Sequence, residues 1–275
     1  MRFCRFVDKD GVHYGLVETA NGQDVITARM AGPRLEIDPS GMPGGILLPD
    51  ASKAQRLPSP LPLDSAKLLI PLPLVTKVVA IGRNYIEHAK ELQNPVPPEP
   101  LLFLKPPSSL LPSGGNIVKP KLTSRLDHEA ELGVVIGRTC HKLGPDADVR
   151  DYILGYTCVN DVTARDIQRK DVQFTRGKGF DTFCPVGPVI ATGLDTSELD
   201  VQGLVNGQVR QDGNTRDLIF NIEYLMRFIC EVMTLVPGDI IATGTPAGVG
   251  PMNVGDTVEV IVEGVGTLRN QIVGE

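Results

Sequence analysis

The sequence predicts an α+β protein in which strands dominate. Short segments that alternate apolar and polar side chains recur along the chain, separated by the turn pairs Asp10-Gly11, Asn21-Gly22 and Asn206-Gly207. Such pairs favour β-hairpins. Only one long stretch, residues 221–235, repeats apolar side chains at helical spacing, which predicts an amphipathic helix. The two patterns together indicate many strands and few helices.

Length and charge limit the partners that we expect. A chain of 275 residues suits one large domain or one domain with a small appendage. The net charge is −6 and no basic run is present, which argues against binding to nucleic acid or an anionic membrane. No run of 18 apolar residues occurs and the first residues lack an apolar signal core, so we expect a cytoplasmic protein that binds a small molecule.

The N-terminal quarter is predicted to be a separate unit. Residues 1–70 alternate in the manner of short strands and contain no motif with recognisable chemistry, so we expect a small β-rich N-terminal domain followed by a larger domain over residues 71–275, which holds the candidate site residues. Residues 41–74 are rich in proline and glycine. That composition resists regular structure and predicts a linker.

A short helix after the predicted strand at residues 78–82 carries a candidate base. Asn84 is predicted to cap this helix, with Glu87 as its capping-box partner. His88 and Glu91 are three residues apart and face the same way. A carboxylate beside an imidazole makes a candidate general base, although a solvated surface pair is the plainer alternative. Prolines from residue 95 onward end the helix, and the segment suits a lid.

Two carboxylates are predicted to point the same way from a buried strand. The apolar run at residues 134–136 indicates that strand, and its period of two places Glu129 and Glu131 on one side. Asp161 follows a second apolar run, and Asp161, Arg165 and Gln168 have the spacing of one helix face. Buried like charges need a cation, and oxygen donors alone favour Mg²⁺, Mn²⁺ or Ca²⁺.

Plainer interpretations of these residues remain open. Glu129 and Glu131 also suit the polar side of a half-exposed strand, and Asp161 suits a helix N-cap. The five cysteines are widely spaced without a Cys-x-x-Cys pair, which is typical of reduced thiols in an intracellular protein. Cys158 and Cys184 lie near the charged segments, where small buried hydrophobes are a simpler interpretation than nucleophiles.

Four ordered motifs carry a family resemblance. They are Asp127-His-Glu-Ala-Glu-Leu-Gly-Val-Val-Ile-Gly, Asn160-Asp-Val-Thr-Ala-Arg-Asp-Ile-Gln, Gly177-Lys-Gly-Phe-Asp-Thr-Phe-Cys-Pro and Gly238-Asp-Ile-Ile-Ala-Thr-Gly-Thr-Pro-Ala-Gly-Val-Gly. Between about residue 77 and the C-terminus the chain resembles the fumarylacetoacetate hydrolase family, in its acylpyruvase and fumarylpyruvate hydrolase branch. The resemblance implies a mixed β-sandwich roll and a homodimer.

The resemblance also implies a role for each candidate residue. The metal, Mg²⁺ or Mn²⁺, is expected on Glu129, Glu131 and Asp161; the catalytic residues are expected to be His88, Glu91 and Lys178; and the substrate is expected to contact Arg165, Gln168 and Thr245. The eponymous branch has a further carboxylate ligand just before the histidine. Residues 83–85 of this chain are Arg-Asn-Tyr, so we expect three protein ligands, with water completing the shell.

The reaction implied by the resemblance is hydrolysis of a C–C bond in an acylpyruvate or another β-diketo acid. The metal would hold the charge of the pyruvate enolate that this cleavage leaves. The same site would serve an oxaloacetate decarboxylase or a 2-hydroxyhepta-2,4-diene-1,7-dioate-type isomerase or decarboxylase. An alternative from another functional class is a non-catalytic metal-binding protein, in which the carboxylates only stabilise the fold. A phosphotransferase is less favoured because the glycines at 244–250 match no phosphate-binding motif.

Overall fold

A computed structural model of the protein describes residues 1–39, 41–91, 93 and 95–275. These residues form many short strands. In chain order the strands are β1 (Arg2–Asp8), β2 (Gly11–Ala20), β3 (Gln23–Met30), β4 (Arg34–Ile37), β5 (Pro43–Leu47), β6 (Gln55–Pro62), β7 (Lys67–Leu69), β8 (Val78–Gly82), β9 (Leu101–Lys105), β10 (Leu110–Pro112), β11 (Asn116–Lys119), β12 (Leu126–His128), β13 (Ala130–Ile136), β14 (Ile153–Asn160), β15 (Thr163–Ala164), β16 (Cys184–Ala191), β17 (Asp200–Val205), β18 (Gln208–Asn214), β19 (Ile240–Ala242), β20 (Gly250–Met252), β21 (Thr257–Val262) and β22 (Gly266–Gly274).

Helices are few and short. Over the described ranges they are α1 (Ile86–Glu91), α2 (Arg165–Lys170), α3 (Thr175–Lys178) and α4 (Ile222–Val232). The predicted amphipathic helix is α4, which begins after Asn221, whose side chain accepts a hydrogen bond from the backbone N–H of Tyr224. Its apolar face is buried on the core. No helix among the described residues is long and apolar enough to cross a membrane.

The strands form one large sheet and three smaller ones. The large sheet has the order β6-β3-β2-β1-β16-β14-β13-β19-β8-β9, with β10 paired to β16 and β7 paired to β1. A five-stranded sheet has the order β11-β22-β21-β17-β18, a three-stranded sheet the order β15-β12-β20, and β4 pairs with β5. The three predicted hairpin turns join β1 to β2, β2 to β3 and β17 to β18.

The N-terminal strands continue the large sheet. Phe3 in β1 pairs with Ile190 in β16, so the strands of residues 1–70 and the centre of the sheet share backbone hydrogen bonds. The boundary near residue 70 stays a prediction.

The expectation that residues 41–74 would lack regular structure is wrong. This stretch contains β5, β6 and β7, and β6 pairs with β3 despite its three prolines at positions 58, 60 and 62. A strand at the end of the sheet order tolerates proline because the missing N–H groups would face outward.

The centre of the large sheet positions the carboxylates. Every residue of β13 is buried, and β13 lies between β14 and β19. Strands that are covered on both faces read as continuous apolar runs, which explains the composition of residues 132–136. Polar side chains at the end of such a strand are therefore held in a low-dielectric setting.

Candidate active site

Three carboxylates meet at one end of the β13–β14 pair. Glu129 immediately precedes β13 and Asp161 immediately follows β14, and the two strands are antiparallel with Ala130 opposite Asn160. The backbone N–H of Asp161 donates to the carbonyl of Glu129 over 2.9 Å. Glu131 lies two residues further along β13, and carboxylate oxygens of Glu129, Glu131 and Asp161 all fall within 4.8 Å of one another. All three residues are buried.

The helical placement predicted for Asp161 is wrong. Thr163 and Ala164 form β15, which pairs with β12, and α2 begins only at Arg165. Asp161 therefore lies on extended backbone, and the N-cap position of α2 is Ala164. Arg165 and Gln168 do share α2, where Arg165 Nη1 donates to Gln168 Oε1 over 2.6 Å.

Basic side chains surround two of the carboxylates. Lys178 Nζ lies 2.8 Å from Glu129 Oε2 and 2.5 Å from Asp161 Oδ2, and Arg165 Nη2 lies 2.5 Å from Glu129 Oε1. Lys105 Nζ lies 2.6 Å from Asp161 Oδ1 and is fully buried. Lys105 was not among the predicted site residues. A lysine that closes the apolar run of β9 was the available signal, because buried lysines are almost always paired.

The charge of Glu131 is compensated least. Burial alone would raise the pKa of Glu129, but the ammonium of Lys178 and the guanidinium of Arg165 outweigh it and hold that pKa well below its ordinary value. For Glu131, burial and then the charges of Asp161 and Glu129 raise the pKa well above its ordinary value. The only hydrogen bond to its carboxylate among the described residues comes from the backbone N–H of Gly244, over 2.8 Å.

The three residues fit a hard divalent cation. They offer oxygen atoms alone, which Mg²⁺ and Mn²⁺ prefer. A cation between the three carboxylates would also compensate the buried charge of Glu131, to which no lysine or arginine in the described part of the chain is bonded.

The predicted His–Glu pair is present on α1. His88 is buried, and its Nδ1 lies 3.3 Å from Glu91 Oε2. The Glu91 carboxylate also accepts hydrogen bonds of 3.1 and 3.2 Å from the backbone N–H of Gly248. Glu91 is therefore held by the loop that follows β19. In the predicted proline-rich segment after α1, positions 92 and 94 lie outside the described residues.

Asn84 does not cap α1 as predicted. Its side-chain amide donates to the carbonyls of Phe220 and Thr243 over 3.0 and 2.7 Å, and its Oδ1 accepts from the Phe220 N–H over 2.8 Å. Asn84 is fully buried and α1 begins at Ile86. The amide is thus used to join distant segments, and the predicted capping-box partner Glu87 instead binds Lys90 over 2.7 Å.

Thr245 is fixed by Gln211, which was not among the predicted site residues. Its hydroxyl donates to the carbonyl of Ala130 over 2.8 Å and accepts from Gln211 Nε2 over 2.6 Å. Gln211 lies in β18 and also binds the backbone N–H of Ala130 and the imidazole of His128. Ala130 and His128 are more than 80 residues from Gln211 and Thr245 is 34 residues from it, so no local pattern indicated Gln211.

A cavity of about 280 Å³ adjoins the carboxylates. Six predicted site residues line it, namely His88, Glu129, Arg165, Gln168, Lys178 and Thr245. Its walls also include Phe103 and Phe174, whose rings meet edge to face at 5.5 Å. A larger, open groove of about 1190 Å³ lies between residues 146–156 and the start of α4. We assign the site to the smaller cavity because only that one borders the carboxylate centre and His88.

The cysteines near the motifs are unsuited to nucleophilic catalysis. Burial is the main cause that raises the pKa of both Cys158 and Cys184, to about 12 in each case. A thiol with such a pKa is almost entirely protonated at neutral pH. Both residues instead pack in the apolar core.

The fold and the cavity define a class of protein, namely a strand-rich chain whose buried three-carboxylate centre borders a small-molecule cavity. The family model "Fumarylacetoacetate (FAA) hydrolase C-terminal" matches residues 77–273, and the model "Rv2993c-like, N-terminal" matches residues 1–71. The chain therefore belongs to the fumarylacetoacetate hydrolase family and is an enzyme of that superfamily. The predicted family and the predicted mostly-β fold class are confirmed.

Relatives with several activities share this fold. The chain is 38% identical to the 2,4-didehydro-3-deoxy-L-rhamnonate hydrolase of Sphingomonas sp. (strain SKA58), with 99% of this chain and 96% of that relative covered. It is 44% identical to the mitochondrial oxaloacetate decarboxylase of Dictyostelium discoideum, with 70% and 90% covered. The solved structure of 5-carboxymethyl-2-hydroxymuconate delta-isomerase from Mycobacterium smegmatis is 41% identical, with a TM-score of 0.81 and with 100% and 99% covered.

Proposed function

We propose that the protein is a Mg²⁺- or Mn²⁺-dependent hydrolase that cleaves a C–C bond in an acylpyruvate or another β-diketo acid. The observation that carries the proposal is a cavity lined both by Glu129, which belongs to the cluster of three buried carboxylates, and by His88, which pairs with Glu91. A relative that the chain covers almost completely is named a hydrolase, which supports the same reaction class.

In this proposal Glu129, Glu131 and Asp161 hold the metal, and two basic residues balance the remaining charge. The bound ion would act as a Lewis acid toward the 2-oxo acid. Three carboxylates and a divalent ion leave one negative charge, and an anionic substrate adds to it. Lys178 and Arg165 supply the compensating positive charge at hydrogen-bond distance from Glu129.

His88 acts as the general base. With its Nδ1–H donated to Glu91, the second ring nitrogen is free to take a proton from the attacking water. Glu91 is held in turn by the Gly248 N–H. Lys178, Arg165 and Gln168 would donate to the distal carbonyl once the substrate is bound and so stabilise the oxyanion, and loss of one such donor typically lowers turnover ~100- to 1000-fold. Thr245, which lines the same cavity, would contact the substrate carboxylate.

The proposed base is tested with one substitution and a matched control. His88→Ala is expected to lower hydrolysis of acetylpyruvate or fumarylpyruvate by about 100-fold or more, because the water is no longer deprotonated. Binding of oxalate in the presence of Mg²⁺ should persist, since oxalate contacts the metal end only. His141→Ala, at an exposed histidine, is the control. Normal hydrolysis by His88→Ala would contradict the role of His88, and full turnover after EDTA treatment would contradict the metal requirement.

Oxaloacetate decarboxylation is the second candidate. It is favoured by the similarity to a named oxaloacetate decarboxylase, and decarboxylation needs no activated water. The isomerase named among the solved structures leaves a third activity open for the same residues. Acetylpyruvate, fumarylpyruvate and oxaloacetate should be assayed side by side with Mg²⁺ or Mn²⁺. Turnover of oxaloacetate that survives His88→Ala, without hydrolysis of either acylpyruvate, would identify the decarboxylase.

We further propose that the chain acts as a cytoplasmic homodimer on a small 2-oxo acid, without a nucleic-acid or membrane partner. The family resemblance supports the dimer, and the net charge of −6 supports the choice of partner. Light scattering coupled to size exclusion is expected to give twice the chain mass of 29.6 kDa. A single-chain mass at working concentration would contradict the dimer.

A further inference from the structure

Two buried thiols outside the candidate active site lie side by side. The Sγ atoms of Cys140 and Cys230 are 3.3 Å apart, although the two residues are 90 positions apart in the sequence. In the described part of the chain no other two cysteine sulfurs lie within hydrogen-bond distance, and the Cys158 thiol instead donates to the carbonyl of Gly266. The fold has therefore brought one specific pair of thiols together.

The backbone around the two thiols fixes their positions. Cys140 exchanges two hydrogen bonds of 3.0 Å with Leu235, which follows α4. The N–H of Lys142 donates to the carbonyl of Cys230 over 3.0 Å. Arg227, one turn before Cys230 on α4, donates to two backbone carbonyls of the segment that follows Cys140. A disulfide requires an S–S distance of about 2.05 Å, so rotation of the two side chains can form the bond while these backbone contacts stay in place.

The thiol pair is buried, but residues next to it in the sequence are exposed. Cys140 is 2% exposed and Cys230 is 0% exposed. His141, Lys142 and Glu231 are all exposed. Bulky thiol reagents are therefore excluded, whereas a small neutral oxidant such as hydrogen peroxide has only a short path to the two sulfur atoms.

The two thiols differ in acidity. Hydrogen bonding with Cys140 lowers the pKa of Cys230. Hydrogen bonding with Cys230, and then burial, raise the pKa of Cys140. The thiolate is the form that attacks a peroxide. Cys230 is therefore the attacking thiol, and Cys140 is the second thiol that stands beside it.

We propose that Cys140 and Cys230 are a modification site at which a peroxide forms a reversible disulfide. The thiolate of Cys230 attacks one peroxide oxygen, the O–O bond breaks, and the leaving hydroxide takes up a proton to become water. The sulfur of Cys140 then attacks the sulfenic acid on Cys230, the S–O bond breaks, and the oxygen leaves with the Cys140 proton as a second water. The two thiols together lose two electrons, and one hydrogen peroxide is reduced to two waters.

The disulfide would close residues 140–230 into a loop. That segment carries Asp161, Arg165 and Lys178 of the candidate site. A link between residues so far apart restricts the unfolded chain and thereby stabilises the folded protein. Because Cys140 follows the end of β13 that is opposite to the carboxylates, the link leaves the arrangement of the site unchanged.

The test is peptide mapping of the folded full-length chain after treatment with hydrogen peroxide. Trypsin releases the two thiols on peptides 139–142 and 228–269, each of which contains a single cysteine. The wild-type protein should yield these peptides joined, at a mass two hydrogens below their sum, and dithiothreitol should separate them. By differential scanning fluorimetry the melting temperature should rise by about 5 °C or more on oxidation and return on reduction.

The variants are Cys140→Ala and Cys230→Ala. Each lacks one of the two sulfurs, so neither should give the joined peptide or gain melting temperature on oxidation. Cys4→Ala is the matched control, because it removes a different buried thiol and leaves the pair intact. This control should form the joined peptide as the wild-type protein does.

Two results would overturn the disulfide. One is folded, peroxide-treated wild-type protein in which peptides 139–142 and 228–269 stay separate, whether Cys230 remains a thiol or is oxidised to a sulfinic acid. The other is a joined peptide that appears only after unfolding in urea, where any two of the five thiols can meet. The mapping of the wild-type protein does not depend on how the variants fold. No readout uses turnover, so the result is independent of the proposed reaction.

Discussion

The carboxylates of the site differ in how well their charges are compensated. Glu129 accepts from Lys178 and Arg165, and Asp161 lies between Lys178 and Lys105. Glu131 receives one backbone N–H and no cation among the described residues. A buried carboxylate in that position destabilises the fold unless it takes a proton or gains a cation. We therefore expect Glu131 to be the residue whose replacement separates metal binding from folding most clearly.

Glu131→Gln keeps the size of the side chain and removes its charge. The metal-free variant is expected to melt at or above the wild-type temperature, because an uncompensated buried charge is gone. The rise in melting temperature on adding Mg²⁺ or Mn²⁺ should be lost, together with turnover. Differential scanning fluorimetry measures both effects, with Glu198→Gln at an exposed glutamate as the control. A variant that metal stabilises as strongly as it stabilises the wild type would contradict the ligand assignment.

The short loop between β8 and α1 holds the candidate base against the sheet. Asn84 bonds to Phe220, which precedes α4, and to Thr243, which follows β19. Gly244 approaches it so closely that an added Cβ would lie 2.6 Å from the Asn84 Cβ, and the φ of Gly244 is +102°. The backbone N–H of Gly244 also donates to Glu131. The contact between Asn84 and Gly244 therefore connects the loop before α1 to the carboxylate centre.

Asn84→Ala removes three hydrogen bonds in a fully buried position. The free energy of unfolding is expected to fall by about 2–4 kcal/mol, because the backbone groups of Phe220 and Thr243 lose their partner. Urea denaturation measures the change, and Asn116→Ala at an exposed position of β11 is the control. If both variants unfold at the same urea concentration as the wild type, Asn84 does not join these segments.

The whole molecule is organised around one sheet that combines N-terminal and catalytic strands. β1 pairs with β16, and β16 is the neighbour of β14, which leads into Asp161. The apolar core extends on both sides of the β1–β16 pairing. It includes all five cysteines, which are buried and form no disulfide. Burial raises the pKa of Cys4, Cys158 and Cys184 to about 12.

Thiol reactivity should therefore report the integrity of the whole fold. In the native protein at pH 8, none of the five cysteines is expected to react with 5,5′-dithiobis(2-nitrobenzoic acid) within minutes, because all five are buried, and burial also suppresses thiolate formation at Cys4, Cys158 and Cys184. After unfolding in urea, all five should react. Rapid reaction of Cys4, Cys158 or Cys184 in the folded protein would contradict this expectation and indicate that the sheet opens at β1, β14 or β16, respectively.

Much of the fold and part of the site followed from short-range patterns. The alternation of side chains and the Asx-Gly turns predicted the hairpins, and the spacing of apolar residues predicted α4. Two pairs of site residues that are near each other in sequence were also predicted from local patterns. Glu129 and Glu131 follow from the period of a strand, and His88 and Glu91 from one turn of a helix. In each case the deciding interaction spans only a few residues.

The predictions that were wrong concern residues whose structure is set by contacts that are distant in sequence. Asp161 is extended because β15 pairs with β12, some 36 residues earlier, which overrides the local helical spacing. Asn84 binds partners more than 130 residues away instead of its own helix, and the prolines of β6 are tolerated because that strand ends the sheet order.

The sequence by itself determined the family, the strand-rich fold and the identity of the three clustered carboxylates, because these depend on motif order and local periodicity. Only the tertiary structure decided that Lys105 neutralises Asp161 and that Gln211 fixes Thr245. These contacts join residues from separate elements, and the free energy that selects them comes from burial and charge pairing across the assembled sheet.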